Sequence, residues 1–313
     1  MLIVCPNLAV DHTITLSVLT PGAVSRATTG RSLAGGKGAN VARATQAIGG
    51  SSRVIGFLPE VGRGHLMTLF AAEEFDLGGV PVDGVVRTCT ATLESDGRTT
   101  LINEPGAEVD GADWSALLQL VPTGTGFVIG SGSLPPGSSP DAYARLVMLV
   151  HSWGGFCAVD VGGPALAAAA RSGADLVCPN LFEATSLTSG AAAEEVDEQG
   201  DDIPDRALEA ARGLRALGAD TVAVTAGAAG VGLIWADDEV WLPTVAVKAV
   251  NPIGAGDSFL AGVVLAHEQG ENWPAAVRFG MAVAGASVEN PGAAQVDPER
   301  VAELDAQLAL AHC

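Results

Sequence analysis

The chain has 313 residues, of which 36 are acidic and 16 basic, so its formal net charge is −20. Nucleic acids and anionic membranes are poor partners for such a chain, because contacts to phosphate groups need Lys and Arg. The length suits one large α/β domain or two small ones.

Two further exclusions concern the location of the protein and its cysteines. No apolar run of membrane-spanning length is free of Gly and charge, and the first residues lack the basic segment of a signal peptide. We therefore expect a cytoplasmic protein without a membrane partner. The five cysteines are scattered and form no CxxC pair, so neither a zinc site nor a disulfide framework is expected.

The chain opens with a predicted buried strand at residues 2–5 and an alternating, half-exposed strand at 9–16. Asp11 comes shortly after the end of the first strand, which is where open α/β sheets bind ligands. A lone Asp at such a place is also a common turn residue. Residue 11 alone leaves both interpretations open.

A glycine cluster follows at residues 34–42 and precedes a helix predicted over 41–48, which ends at Gly49-Gly50. Gly36 and its neighbouring glycines permit close approach of a ligand to the backbone, while Lys37 and Asn40 offer hydrogen-bond donors. The cluster matches neither a Walker A loop nor a dinucleotide-binding fingerprint. The simpler interpretation is a tight turn with a surface lysine.

A predicted strand at 52–57 and a helix at 64–75 lead to a β-hairpin. Residues 87–94 alternate strongly, 95–97 form a turn, and 98–103 return. Together with the strand at 9–16, the hairpin indicates a small sheet outside the main body. Its strands are expected within about 9–30 and 85–108. Such a sheet suits a lid, the interface of a homodimer, or both.

From residue 127 onward, strand and helix patterns alternate, which indicates a parallel sheet covered on both faces. The predicted elements are 127–130, 140–152, 156–160, 165–171, 176–179, 203–217 and 221–225. An acidic, small-residue segment at 191–202 is expected to be an exposed loop. No repeat or low-complexity linker divides the chain, so we expect one domain over residues 1–313.

Turn residues recur where the predicted strands end. These clusters occupy 131–137, 160–163, 179–180, 225–230 and 254–257. The carboxyl ends of parallel strands lie at one edge of a doubly wound sheet, and that edge is where such folds bind their ligands. The sequence therefore predicts a site at this edge.

The most informative cluster lies at residues 251–259, between an extended stretch at 240–247 and a predicted helix start at 260–266. The first N–H groups of a helix lack internal partners and attract anions. Asp257 places a carboxylate beside this anion site, a combination that suits phosphoryl transfer to a hydroxyl. The alternative is that Asp257 or Ser258 only caps the helix.

Taken together, these motifs resemble the PfkB/ribokinase family of carbohydrate kinases, and the 1-phosphofructokinase and tagatose-6-phosphate kinase branch is nearest. The resemblance runs from Leu2 to about Gln295. Its most specific parts are residues 35–42 and 251–259, while 131–137 points to the sugar-phosphate branch. The resemblance implies a ribokinase-like, doubly wound, mainly parallel sheet with helices on both faces and a small β-sheet lid.

The resemblance also implies roles for individual residues. Asp257 would be the general base, and the amides of Gly254, Ala255 and Gly256 would form the anion hole for the transferred phosphoryl group. The residues implied on the sugar side are Asp11, Gly36, Lys37, Asn40, Arg87, Asn103 and Ser131, with Lys37 and Arg87 holding the phosphate already on the sugar. The residues implied on the nucleotide side are Asn180, Thr225, Gly227, Gly230 and Asn290.

In the same family pattern Glu183, the last residue of an N-x-x-E motif, would act on Mg²⁺ through water. Simpler interpretations exist for two of these charges. Glu183 alone is also explained as an acidic residue at a helix N-terminus, and Arg87 as an ordinary surface charge on a hairpin.

The chain departs from the family pattern in four places. Cys178 stands where the family usually has Lys, which leaves the affinity for ATP and the choice of nucleotide open. Residues 160–163 replace the usual Asp-Thr-Ser-Gly, and Cys89 replaces an Asn after the lid arginine. Asn251 stands where many relatives have Asp, which leaves a monovalent cation site open.

The leading hypothesis is an ATP- and Mg²⁺-dependent kinase of a phosphorylated ketohexose, with fructose 1-phosphate first and tagatose 6-phosphate or fructose 6-phosphate next. A second hypothesis is a kinase of an unphosphorylated sugar or a nucleoside. A third is a non-catalytic protein that binds a sugar or a nucleotide. An NAD-dependent oxidoreductase fits poorly, because the dinucleotide fingerprint is absent.

Overall fold

The structure is a computed structural model that describes residues 1–189 and 200–311. These residues form two β-sheets and the helices that cover the larger one. The strands are β1 (Leu2–Val4), β2 (Ala9–Leu16), β3 (Thr29–Gly35), β4 (Arg53–Val61), β5 (Asp76–Val85), β6 (Arg87–Glu94), β7 (Thr99–Asn103), β8 (Phe127–Ser131), β9 (Phe156–Asp160), β10 (Leu176–Val177), β11 (Thr221–Thr225), β12 (Gly230–Trp235) and β13 (Asp238–Pro243). The helices are α1 (Lys37–Ala47), α2 (Arg63–Ala72), α3 (Gly111–Gln119), α4 (Ala142–His151), α5 (Gly163–Arg171), α6 (Leu181–Ser189), α7 (Ile203–Leu217), α8 (Ala255–Glu268), α9 (Trp273–Val288) and α10 (Pro298–Ala311).

The larger sheet has nine strands in the order β13-β12-β11-β10-β9-β8-β1-β4-β5. The strands from β11 to β5 run parallel, and β12 and β13 join antiparallel at one edge. This confirms the predicted mainly parallel sheet. The chain leaves β1 toward β4 on one side and returns to β8 on the other. Doubly wound sheets bind their ligands where the strand order reverses, which in this sheet is at the carboxyl ends of β1 and β8.

Helices cover both faces of this sheet, as predicted. Successive strand residues point to opposite faces, and β1 shows the consequence. Leu2 and Val4 belong to the core beneath α3, α4, α5 and α7, whereas Ile3 belongs to the core beneath α1, α8, α9 and α10. The two faces are thus packed by different parts of the chain.

The smaller sheet has the order β3-β2-β6-β7 and contains the predicted hairpin. Asp11 pairs with Cys89, and Cys89 pairs with Asn103. Because paired residues of neighbouring strands share a face, these three form one row across the sheet. Leu101 and Ile102 are exposed on β7. The roles of this sheet as a lid and as a dimer interface stay predictions.

Some element boundaries differ from those predicted. Helix α1 begins at Lys37 rather than at residue 41, and α8 begins at Ala255 rather than at 260, so both glycine clusters run directly into a first helical turn. Strand β13 ends at Pro243, short of the extended stretch predicted to 247. Residues 191–199, most of the predicted acidic loop, lie outside the described residues.

Strands β5 and β12 have no counterpart among the predicted elements, because their glycines and proline are typical of turns. Strand β5 contains Pro81, and it is an edge strand, where a missing backbone donor is tolerated. Strand β12 contains Gly232, whose missing side chain lets Ala207 of α7 approach closely. None of the described helices is long and apolar enough to cross a bilayer.

Candidate active site

Asp257 lies in the first turn of α8 and is 6% exposed. The amides of Gly254, Gly256 and Asp257 donate to no acceptor among the described residues, whereas the Ala255 amide donates to the Pro252 carbonyl at 3.2 Å. Of the amides predicted for the anion hole, the Ala255 amide is therefore already engaged within the turn. The unpaired amides form a nest of donors at the positive end of the helix dipole.

The wall behind this nest explains one of its two glycines. Gly254 has φ +81° and stands just before α8, and a Cβ there would lie 2.8 Å from the Ala294 nitrogen. A Cβ on Gly256, in contrast, would meet nothing within 4 Å. The nest is therefore closed behind Gly254 and open at Gly256.

The first turn of α1 faces the Asp257 carboxylate. Asn40 Nδ2 donates to Asp257 Oδ2 at 2.9 Å. Lys37 Nζ contacts both carboxylate oxygens of Asp160 at 3.2 and 3.1 Å. Asp160 is the last residue of β9 and pairs with Ser131 at the end of β8. The structure thus brings the predicted residues 37, 40, 131 and 257 to the carboxyl edge of the large sheet.

Burial raises the pKa of Asp257 to about 7. The Lys37 charge and the Asn40 hydrogen bond favour the ionised form, while the negative charges of Asp160 and Asp11 oppose it. A carboxylate with a pKa near neutrality suits a general base, because a large fraction of it is ionised near neutral pH and it still holds a proton well.

Lys37 stays a cation in this surrounding. Burial lowers its pKa, but the attraction of Asp160, Asp257 and Glu183 outweighs burial, so the pKa is raised overall. Its side chain keeps 39% of its surface exposed. Lys37 is therefore a fixed positive charge among three carboxylates, and it is accessible to an anionic ligand.

Asp11 lies on β2 of the small sheet, close enough to Asp257 for its charge to act on that carboxyl. Burial raises the pKa of Asp11 to about 6, and the Arg43 charge, the Gly36 amide and the Cys89 thiol oppose this rise. A Cβ on Gly35 would lie 2.3 Å from Asp11 Oδ1, so only glycine leaves room for this carboxylate. Asn103, at the far end of the same row, is exposed, and its side chain forms no hydrogen bond to the other site residues in the described part of the chain.

Arg87 is held against the main chain. Its Nε and Nη2 donate to the Asn7 carbonyl at 3.1 and 2.9 Å, and its Nη1 donates to the Glu104 carbonyl at 3.2 Å. Asn7 in turn donates to Pro105 O and Ser133 Oγ. The guanidinium therefore joins the small sheet to the loop after β1. It is close enough to Asp11 for its charge to oppose the rise of the Asp11 pKa that burial causes. Ser131 is fully buried, and its hydroxyl has no partner among the described residues.

The N-x-x-E motif forms a reciprocal cap at the start of α6. Asn180 N donates to Glu183 Oε2 at 3.0 Å, and Glu183 N donates to Asn180 Oδ1 at 2.8 Å. The simpler interpretation of Glu183 as a helix N-terminal charge thus has a structural basis. Asn180 also pairs with Thr225, the last residue of β11, so these two predicted nucleotide-side residues are neighbours.

The other predicted nucleotide-side residues serve local structure. Gly230 packs against β13, where a Cβ would lie 2.3 Å from the Leu242 carbonyl. Gly227 is exposed in the turn between β11 and β12. Asn290 Nδ2 donates to the Ala286 carbonyl at the end of α9. The described contacts do not link these residues to Asp257, and their predicted roles stay predictions.

The residues described contain no group of three His, Cys, Asp or Glu side chains arranged to hold a metal ion. Asp160, Arg43 and Glu73 are absent from the predicted site, although each shapes it. The position of Asp160 at a strand's carboxyl end is the signal for it. Arg43 could have been noticed as the one charged residue in the small-residue run NVARAT. Nothing in the sequence points to Glu73.

Comparison with known proteins identifies the family. Residues 6–300 match the protein family that is described as "pfkB family carbohydrate kinase". The chain belongs to the pfkB family of carbohydrate kinases. It is accordingly an enzyme that transfers a phosphoryl group to an alcohol group, and the match confirms the resemblance seen in the sequence motifs.

Individual relatives agree with this assignment. The chain is 34% identical to the 1-phosphofructokinase of Haloferax volcanii over 96% of this chain and 95% of that protein. It is 32% identical to the 1-phosphofructokinase of Rhodobacter capsulatus, over 95% and 93%. The crystal structure of phosphofructokinase-2 from Escherichia coli in complex with potassium superposes with a TM-score of 0.88 at 26% identity, covering 99% of both chains.

The two glycines of the nest predict opposite effects on stability. Gly254→Ala should destabilise the fold by about 1–3 kcal/mol, because alanine is strained at this φ and its methyl group meets Ala294. Gly256→Ala should keep or raise stability by up to about 1 kcal/mol, since alanine favours a helix. Both should lower kcat, by about tenfold or more, because Gly254→Ala displaces the amides and Gly256→Ala places a methyl group on the open side of the nest, where the anion approaches. Urea unfolding and initial rates measure this; a Gly256→Ala variant with full activity would contradict it.

The raised pKa of Asp257 predicts a stability that depends on pH. A carboxyl whose pKa is higher folded than unfolded destabilises the fold as pH rises from 3.8 to about 7. Each unit of raised pKa corresponds to about 1.4 kcal/mol. Asp257→Asn, which still accepts the Asn40 bond, should therefore be more stable than the parent at pH 8. Thermal unfolding should show a smaller gain at pH 5; an equal difference at both pH values would contradict this.

Proposed function

We propose that this protein is an ATP-dependent kinase of a ketohexose phosphate, with fructose 1-phosphate as the first candidate and tagatose 6-phosphate or fructose 6-phosphate next. The observation that carries the proposal is the buried Asp257 carboxylate beside the unpaired amides of residues 254, 256 and 257. The names of the two curated relatives support the choice of fructose 1-phosphate.

In the proposed reaction, a hydroxyl of the sugar phosphate attacks the γ-phosphorus of ATP while Asp257 takes the hydroxyl proton. The O–P bond to the sugar forms as the bond to the ADP leaving oxygen breaks. The amides of Gly254, Gly256 and Asp257 hold the transferred phosphoryl oxygens, as an oxyanion hole does. Asn40 orients the carboxylate. The product is a bisphosphate.

The two cations of the site, Lys37 and Arg87, suit different phosphate groups. Lys37 is surrounded by Asp160, Asp257 and Glu183, which favours a role beside the transferred phosphoryl group. Arg87, on the small sheet, is the better candidate for the phosphate already on the sugar. The amide nest fits the terminal phosphate of ATP, because its donors are unpaired.

For Mg²⁺, the fit rests on Glu183, whose Oε2 is engaged by the Asn180 amide. Bound Mg²⁺ would neutralise charge on the nucleotide phosphates, with Glu183 acting on it through water. Cys178 is buried, and burial raises the pKa of its thiol well above the usual value, so this position supplies no charge. Nucleotide binding would then depend more on the amides and on Mg²⁺ than on a lysine.

One observation favours the second candidate, a kinase of an unphosphorylated sugar or a nucleoside. Within the described residues, the hydrogen bonds of the Arg87 guanidinium all go to the main-chain carbonyls of Asn7 and Glu104. A guanidinium engaged in this way has fewer N–H groups left for a phosphate. Replacing Arg87 separates the two candidates.

An ADP-release assay over ketohexose phosphates, free sugars and nucleosides tests the proposal. We expect turnover on a ketohexose phosphate, and Asp257→Asn should lower kcat by about 10²-fold or more, because the general base is lost. Arg87→Ala should raise KM for the sugar phosphate about tenfold or more, while Arg212→Ala, at an exposed ion pair with Glu239, serves as the matched control.

Three outcomes would contradict the proposal. Turnover on free sugars or nucleosides alone, with an unchanged KM in Arg87→Ala, would favour the second candidate. Binding of sugar or nucleotide without turnover would favour a non-catalytic protein. Full activity of Asp257→Asn would remove Asp257 as the base.

A further inference from the structure

Arg43, on α1, is buried, and its guanidinium donates hydrogen bonds from all three of its nitrogens. A guanidinium has five N–H groups, and five hydrogen bonds leave this one. Nε and Nη2 contact the Glu73 carboxylate at 2.5 and 3.0 Å. Nη1 donates to Asn40 Oδ1 at 2.7 Å and to the Ala293 carbonyl at 3.1 Å, and Nη2 donates to the Ala34 carbonyl at 2.7 Å.

The bond to Asn40 determines which way its side-chain amide faces. The Arg43 guanidinium is only a donor, so the Asn40 atom beside it must be the oxygen. Asn40 Nδ2 is then directed at Asp257 Oδ2, at 2.9 Å. Without Arg43, only the attraction of the Asp257 carboxylate for Nδ2 would hold the amide in this orientation.

The other bonds anchor Arg43 to separate segments of the chain. Glu73 follows α2, and its Oε1 also accepts from the Ala34 amide on β3, a strand of the small sheet. Ala293 precedes Ala294, the residue that closes the nest behind Gly254. Arg43 therefore contacts a strand of the small sheet, the wall of the amide nest and the partner of the base.

We propose that Arg43 is a positioning residue for the Asp257 base: with Glu73, it holds the Asn40 amide in the orientation that donates to Asp257 and joins it to strand β3 and to the loop at Ala293. This inference rests on the proposed function, because Asp257 acts as a base only in that function. The geometry of the carboxylate, however, can be tested without turnover.

The expected consequence is a change in the protonation of Asp257. The groups that face its carboxyl are Lys37 and Asn40 on α1, Asp160 at the end of β9, Asp11 on β2 and Cys5 after β1. Of these, Lys37 and Asn40 stabilise the charged form. Loss of the Asn40 bond should therefore raise the pKa of Asp257.

The test compares Arg43→Lys, Glu73→Gln and the control Arg212→Lys, each in the full-length protein. A lysine at 43 keeps the charge, but its single ammonium cannot span Asn40, Glu73 and two carbonyls. The ¹³Cγ signal of Asp257, in protein labelled at aspartate and assigned with Asp257→Asn, is titrated without ligands. We expect the pKa of Asp257 to rise by about one unit in Arg43→Lys, less in Glu73→Gln, and not in the control.

The acidic limb of the kcat–pH profile should move to higher pH by a similar amount. Its position does not depend on the amount of correctly folded enzyme, so a merely structural role for Arg43 would lower the rate without moving the limb. An unmoved Asp257 titration in folded Arg43→Lys would overturn the proposal. If Arg43→Lys does not fold, an unmoved titration in Glu73→Gln would overturn it.

The two proposals fail in different ways. A parent protein without kinase activity would remove the proposed function, while the Asp257 titration would still decide whether Arg43 positions the carboxylate. An active parent with unmoved titrations would remove only the role of Arg43.

Discussion

The site depends on a carboxylate that is kept out of water beside main-chain amides that lack acceptors. Burial of Asp257 is unfavourable for its charged form, and this cost is reduced by the Lys37 charge and the Asn40 hydrogen bond. The same burial makes the carboxylate a stronger proton acceptor. The neighbouring amides are unfavourable when unpaired in the protein alone, but they become favourable when an anion arrives. Both features make sense for a site whose partners are an alcohol and a phosphate.

The fold brings these groups together from distant parts of the chain. Asn40 and Asp257 are 217 residues apart in sequence, yet they meet because α1 and α8 pack side by side on the same face of the large sheet. Lys37, in the first turn of α1, reaches Asp160 at the end of β9. These residues lie at the carboxyl edge of the sheet, where the strand order reverses between β1 and β8. The small sheet then supplies Asp11 and Arg87 from the side.

Much of this could be predicted from the sequence, because local patterns carry it. The alternation of strands and helices predicts the parallel sheet, and the glycine turns before α1 and α8 mark the edge that holds the site. The hydrogen bonds of Arg43 could not be predicted, because only tertiary packing brings Glu73, Ala34 and Ala293 to its guanidinium. Strand β5 was not predicted, because its glycines and Pro81 are typical of turns. They are tolerated here because the strand is at the edge of the sheet. The engagement of the Ala255 amide by Pro252 is likewise a detail of turn geometry that the motif does not reveal.

The most direct test of the central claim is a crystal structure of the protein with fructose 1-phosphate and a non-hydrolysable ATP analogue. The account predicts the acceptor hydroxyl within about 2.6–3.2 Å of an Asp257 carboxylate oxygen, and the terminal phosphate on the amides of Gly254, Gly256 and Asp257. A sugar bound elsewhere, or a terminal phosphate that leaves these amides unpaired, would contradict it.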